Sequence, residues 1–174
     1  MASPADIQVF RADEEDAEAI AAIHARSREA AYRSLDEAAR GREPNPVERA
    51  GIWRELLAGD GETAFTLVAE RSEKAVGFCS VSTTSRDADR APGTGEIAAL
   101  YVDPPRWGSG VGSALVTKAL AELAEAGCGI VTLWTLAENE AALRFYARFG
   151  LVPDGFGGPD PRTGRPKARL RVAL

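Results

Sequence analysis

Hydrophobic residues recur along this chain in two rhythms, one suited to strands and one to helices. Short apolar runs rich in β-branched and aromatic residues predict strands at residues 7–10, 65–69, 75–81, 98–102, 130–136, 151–152 and 168–172. Longer stretches with apolar residues three and four apart predict helices between them. The first follows Asp13, whose carboxylate suits a helix N-cap, and runs to about Leu35 with acids in its opening turn. The second spans residues 47–58, after a polar break at Gly41-Arg42-Glu43-Pro44-Asn45-Pro46. The third begins near Ser109, and the fourth covers residues 139–149 and ends at Gly150, a residue suited to the left-handed C-terminal position. Residues 72–74 form a polar hairpin turn, residues 86–95 an exposed charged loop, and the Gly/Pro-rich residues 155–166 a mobile connection. The order β-α-α-β-β-β-α-β-α-β-β describes a mixed α/β (α+β) sheet flanked by about four helices.

One junction in this pattern carries candidate chemistry. The apolar run Ala98-Ala99-Leu100-Tyr101-Val102 is stopped by Asp103-Pro104-Pro105, because consecutive prolines cannot continue a ladder. Then come Trp107-Gly108-Ser109-Gly110-Val111-Gly112-Ser113 and the third helix. Glycines let the backbone turn sharply and leave its N–H groups uncovered, and the first-turn N–H groups of a helix have no internal partners. With the positive end of the helix dipole, they make a site for a phosphate or pyrophosphate. A dinucleotide fingerprint would need glycine where Ser113 stands, and a P-loop would need a lysine after Gly112, which this turn lacks, the next lysine being Lys118. A turn that merely joins strand to helix is the bland alternative.

Leu100-Tyr101-Val102-Asp103-Pro104 followed by Trp107–Leu115 resembles the acetyl-CoA motif of the GCN5-related N-acetyltransferase (GNAT) family, whose turn reads Arg/Gln-x-x-Gly-x-Gly/Ala. Gly110 and Gly112 match; Trp107 stands where Arg or Gln is usual, with Arg106 one position early. A second block, residues 138–151, is similar to the family's Asn-x-x-Ala-x-x-x-Tyr-x-x-x-Gly-Phe, with Asn139 and Tyr146 seven apart and Leu151 in place of Phe. The resemblance covers nearly the whole chain and implies a GNAT-like acyl-CoA N-acyltransferase fold. In that fold a mostly antiparallel sheet is splayed between strands 4 and 5, and the pantetheine arm lies in the gap like an added strand. It further implies that Leu100, Tyr101 and Val102 bind pantetheine and supply an oxyanion N–H. Trp107, Gly108, Ser109, Gly110, Val111, Gly112 and Ser113 then surround the pyrophosphate. Asn139 and Phe145 line the arm, and Tyr146 reaches the sulfur as general acid. Asn139 also fits a helix cap, and Ala142, Phe145, Tyr146 and Phe149 form a buried-stripe pattern, so the residues alone leave Tyr146 between core and catalysis.

The chemistry asks for a base as well. An amine near pKa 10 is mostly protonated at neutral pH and cannot attack a thioester until it loses a proton. Glu96, at the start of the fourth strand and on the parity of Ala98 and Leu100 before any bulge, is the candidate base; a surface glutamate is the alternative. In relatives that acetylate protein N-termini a glutamate stands five residues before the asparagine; here that residue is Trp134, which disfavours a ribosomal-protein substrate.

Composition narrows the rest. With 174 residues, 45% hydrophobic and 27% charged, the chain suits a single globular domain over residues 1–174. A formal charge of −5 argues against nucleic acid and anionic membrane surfaces as partners. Cys79 and Cys128 are isolated, no signal peptide is visible and no run approaches about 18 apolar residues, which together point to a cytoplasmic protein with reduced thiols. With one histidine, His24, on or beside the buried stripe of the first helix, no metal site is expected; Arg49, Trp53 and Tyr32 are candidates for lining a cavity. The expected activity is direct transfer from acetyl-CoA to a small-molecule primary amine, with no covalent enzyme intermediate, and a homodimer is compatible with it. Two alternatives stay open: a non-catalytic acyl-CoA-binding sensor or partner module, and a simpler nucleotide-phosphate binder.

Overall fold

The computed structural model describes residues 7–31, 45–161 and 163–174. Seven strands form one sheet in the order β1-β2-β3-β4-β5-β7-β6. These are β1 (Ile7–Arg11), β2 (Ala64–Arg71), β3 (Lys74–Ser82), β4 (Thr94–Val102), β5 (Ile130–Leu136), β6 (Val152–Pro159) and β7 (Pro166–Ala173). Every neighbouring pair is antiparallel except β4 and β5, which run parallel. Four helices flank the sheet among the described residues: α1 (Ala17–Ala31), α2 (Pro46–Ala58), α3 (Val111–Glu125) and α4 (Glu140–Ala147).

Strand alternation divides the core into two layers. Phe65, Leu67 and Ala69 of β2, Cys79 and Val81 of β3, and Val131 and Leu133 of β5 pack with Val111, Leu115, Val116, Ala119 and Leu123 of α3. Leu143, Phe145 and Tyr146 of α4 close over that layer. On the other face, Phe78 meets Ile20 and Ile23 of α1 and Trp53 and Leu57 of α2. Caps fix where these helices begin. The Asp13 carboxylate accepts from the Glu15 N–H, and Asn45 accepts from the N–H groups of Val47 and Glu48.

Gly77 sets how closely α3 approaches. A Cβ there would lie 2.9 Å from Val111 Cγ1 and 3.0 Å from the Tyr101 carbonyl oxygen, so only glycine lets the N-terminus of α3 seat on β3 opposite Val102. This contact places the glycine turn beside the end of β4.

Several expected boundaries move. Residues 155–166 are not wholly a loop: β6 continues to Pro159 and pairs Gly157 with Ala168 and Pro159 with Pro166. As a sheet edge, β6 tolerates prolines that an inner strand would not. The third helix starts at Val111 rather than Ser109, because Ser109 and the left-handed Gly110 belong to the turn. The fourth spans Glu140–Ala147, with Asn139 as its cap. Tyr32 and the expected end of the first helix at Leu35 lie outside the described residues. Trp53 is a core residue rather than a free cavity wall.

Candidate active site

The site begins where β4 and β5 part. Their pairing runs from Thr94–Ile130 to Ile97–Leu133 and stops there. Across the other edge of β4, Val81 pairs with Ile97 and Ser80 with Ala99, so Ala98 is an unpaired bulge residue. Beyond it, the Asp103 N–H donates to Val76 on β3. Alternation then turns the N–H and C=O groups of Leu100 and Val102 away from β3, into the opening left by β5. Two residues' worth of strand edge is thereby exposed between two strands of one sheet.

The turn after β4 lies at the end of this opening. Gly108 and Gly110 have φ of +75° and +92°, values that side chains resist. Gly110 caps α3 with no side-chain hydrogen bond, so the N–H groups of the first turn of α3 are uncovered. Ser109 Oγ donates back to the Arg106 carbonyl. Asp103 is gripped by Arg26 through two hydrogen bonds of 2.7 and 3.0 Å, which fixes the turn to α1. Trp107 closes back on the strand, its Nε1–H donating to the Val102 carbonyl at 2.7 Å.

α4 supplies the opposite wall. Asn139 Oδ1 accepts from the Ala142 N–H at 3.0 Å, so the cap role is realised. The Phe145 ring lies against Gly112 of α3, where an added Cβ would stand 3.2 Å from it. Tyr146 stacks edge-on to Phe145 and is half-buried against the α3-side core. Burial pushes its phenol well above the usual tyrosine range, and the neighbouring Cys79 and Tyr101 push the same way. Tyr146 is therefore a neutral hydrogen-bond donor at physiological pH.

Glu96 lies on the other side of the sheet. The bulge at Ala98 reverses the parity read from the sequence: Ile97 and Leu100 both face α3, while Ala99 and Tyr101 pack toward α1 and α2. Glu96, next to Ile97, thus shares the face of Ala99 and Tyr101. Its side chain is 6% exposed and holds Arg86, whose side chain is 76% exposed, through Nη2 at 2.7 Å. The Arg86 backbone N–H donates to the same carboxylate at 2.9 Å. The Glu96 hydrogen bond raises the Arg86 guanidinium above its ordinary value, with the charges of Glu96 and Asp87 adding to it. His24 sits on this face too: Trp53 Nε1–H donates to its Nδ1 at 3.2 Å, and its ring lies 4.7 Å from that of Tyr101.

A network missed in the sequence staples the loop over this face. Arg169 of β7, 7% exposed, donates to Asp154 at 2.8 Å and to Asp89 at 2.7 and 2.9 Å, and reaches Asp87 at 3.2 Å. Asp87 also accepts from Trp134 Nε1–H at 2.9 Å. Trp134 therefore holds the loop that carries Arg86. A separate cleft of about 420 Å³, bordered by Arg11, Asp13, Asp60 and Phe65, contains none of these residues. Among the described residues no group of three His, Cys, Asp or Glu could hold a metal, and no helix is long and apolar enough to cross a membrane.

Comparison with known proteins bears on this geometry. The acetyltransferase (GNAT) family matches residues 17–151. An uncharacterized N-acetyltransferase of Archaeoglobus fulgidus is 32% identical over 152 residues, covering 87% of this chain and 97% of its own. A mycothiol acetyltransferase of Sanguibacter keddieii is 40% identical over 86 residues, 49% of this chain but only 27% of that protein's length. A PaiA N-acetyltransferase of Thermoplasma acidophilum, solved in complex with coenzyme A, shares the fold with a TM-score of 0.73 over 97% of this chain and 99% of its own, at 14% identity. With the match running from α1 to the start of β6, the chain belongs to the GNAT family of acetyltransferases.

Proposed function

We propose that this chain is an acetyl-CoA-dependent N-acetyltransferase that passes the acetyl group directly to a primary amine on a small molecule. The observation that carries this reading is the end of β4–β5 pairing at Ile97–Leu133, which leaves the backbone edge of Leu100 and Val102 without a β5 partner beside a helix mouth that no side chain caps. Acetyl-CoA supplies an activated thioester carbonyl. Leu100 and Val102 hydrogen-bond the pantetheine arm as a neighbouring strand would, and the first turn of α3 with Gly108, Ser109 and Gly110 holds the pyrophosphate. Trp107 borders that turn, and Phe145 and Asn139 flank the arm. The Leu100 N–H stabilises the oxyanion that forms on attack.

Glu96, directly or through water, removes a proton from the incoming ammonium once Arg86 gives way. Tyr146 hydrogen-bonds the departing sulfur. A phenol raised above pKa 10 is a weaker acid than a thiol near 8.5, so Tyr146 stabilises the thiolate chiefly as a donor, and the second amine proton completes the thiol. Burial pushes the Cys79 thiol up to about 12 and raises that of Cys128, so neither presents the thiolate that a covalent route would need. The relatives named mycothiol acetyltransferase support a small acceptor. The Arg86–Glu96 pair favours a second reading, an acyl-CoA-binding module without turnover, because it occupies the candidate base.

Calorimetry with coenzyme A tests the binding, and release of free thiol from acetyl-CoA across a panel of amines tests the transfer. Binding without thiol release selects the second reading; absence of binding removes both. If transfer is found, Glu96→Gln is expected to flatten the alkaline rise in rate, and an unchanged pH profile would exclude Glu96 as the base.

A further inference from the structure

The Val102 carbonyl points into the opening and already carries two donors. Trp107 Nε1–H reaches it at 2.7 Å and Ser27 Oγ, from α1, at 2.9 Å. A backbone carbonyl has two lone pairs, so both are engaged. An amide N–H of a pantetheine arm laid along β4 would need one of these positions. Ser27 is only 3% exposed and is held between α1 and β4, whereas Trp107 is 56% exposed. The residue that can leave is Trp107.

We propose that the Trp107 indole is a displaceable plug: at rest its N–H stands in for the amide of the pantetheine arm on Val102, and it swings away as the arm enters. This rests on the acyl-CoA reading above. In the family's turn motif Arg or Gln is usual at this position; neither has an aromatic N–H, and here the tryptophan ties the turn back to the strand it follows. The device makes the chain tell two classes of ligand apart. A pyrophosphate without an arm, such as ADP, fills the helix mouth and leaves the indole in place. Coenzyme A must break the Trp107–Val102 hydrogen bond to complete its own.

The test titrates ADP and coenzyme A into the intact chain and into Trp107→Phe by calorimetry. Phenylalanine keeps an aromatic ring but loses the N–H. The expected result is coenzyme A bound about fivefold more tightly by Trp107→Phe, the worth of one neutral hydrogen bond no longer broken, with ADP unchanged. In the unaltered chain, the Trp107 indole N–H resonance, assigned by its loss in Trp107→Phe, should shift and exchange faster with coenzyme A but not with ADP. Weaker coenzyme A binding by Trp107→Phe would make the ring a fixed wall and overturn the proposal. So would equal changes for both ligands, no change in either, or an indole resonance insensitive to coenzyme A. Failure of coenzyme A to bind either protein would instead remove the acyl-CoA reading on which it rests. If Trp107→Phe does not fold, Trp107→Tyr and the indole exchange measurement decide the same question.

Discussion

Replacing Arg169 with alanine should destabilise the protein and loosen the acceptor side while sparing the cofactor side. The guanidinium is 7% exposed and holds Asp87 and Asp154, each 14% exposed, with Asp89 at 45%. Removing it leaves two poorly hydrated carboxylates without their shared cation. Breaking a buried pair from one side costs about 3–5 kcal/mol, and the shallow position of this cluster brings the expected loss down to about 2–3 kcal/mol. For a chain of this length that corresponds to a fall in melting temperature of roughly 5–10 °C. Asp89 is more open and regains water, so it adds little. Urea denaturation gives the free energy, and the slope should stay constant if only stability changes. A triple variant, Arg169→Met with Asp87→Asn and Asp154→Asn, should recover most of the loss, because it removes the unpaired charge along with its partner. Since Asp87 also receives Trp134 and the loop carries Arg86, kcat/KM for an amine should fall while coenzyme A affinity holds. A loss below ~0.5 kcal/mol, the range of an ordinary surface change, or a triple variant no more stable than Arg169→Ala, would refute this account of the cluster.

Other expectations follow from single contacts. Tyr146→Phe should lower kcat about tenfold to a hundredfold and leave coenzyme A affinity within about twofold; lost binding would make the ring purely structural. Gly77→Ala should cost about 1–3 kcal/mol in urea denaturation and weaken coenzyme A binding, since its Cβ would push Val111 and α3 off β3; a neutral result would show that the helix yields freely. Ser72 and Glu73 hold φ of +52° and +57° in the β2–β3 turn, so Glu73→Gly should raise stability by about 0.5–1 kcal/mol after glycine's own entropic cost, read from the melting temperature. The hydrogen bonds from Arg169 hold the Asp89 carboxyl below its usual range. Its contribution is therefore complete above the unfolded value near 3.9 and fades as pH falls through the lower folded value, seen as faster proteolysis of residues 83–93 in acid. Equal protection at neutral and acid pH would count against that staple.

Much of the fold was legible because its signals are local. The strand at residues 130–136 has the bounds its β-branched run predicts, Asp13 and Asn139 mark element ends through side chains that bond their own neighbourhood, and the 72–74 turn marks another through its polar residues. The glycine turn was legible for the same reason, since positive φ at Gly108 and Gly110 is a demand on the residue itself. The Arg169 cluster was not legible. Its partners stand 15, 80 and 82 residues away, and no spacing rule joins charges that a sheet brings together. Nor was the length of β6, whose prolines and glycines suggested a loop until an edge position made them tolerable.

The face of Glu96 departs from the parity that holds before any bulge, for a more instructive reason. Alternation along β4 is a sound rule, but one inserted residue inverts everything before it relative to everything after it. Ala98 is that residue, and nothing in a small apolar side chain advertises a bulge. The inversion has a functional consequence. Without it, Glu96 would point at α3, into the apolar layer that holds Leu115 and Val116, where a carboxylate would lack partners and could meet no amine. With it, Glu96 faces the α1–α2 side and reaches Arg86, while Leu100 and Val102 still offer their backbone edge to the opening. The bulge that turns Glu96 toward α1 and α2 also sets the backbone of Leu100 and Val102 toward the opening beyond Ile97–Leu133, so both halves of the proposed reaction depend on one residue's departure from the ladder.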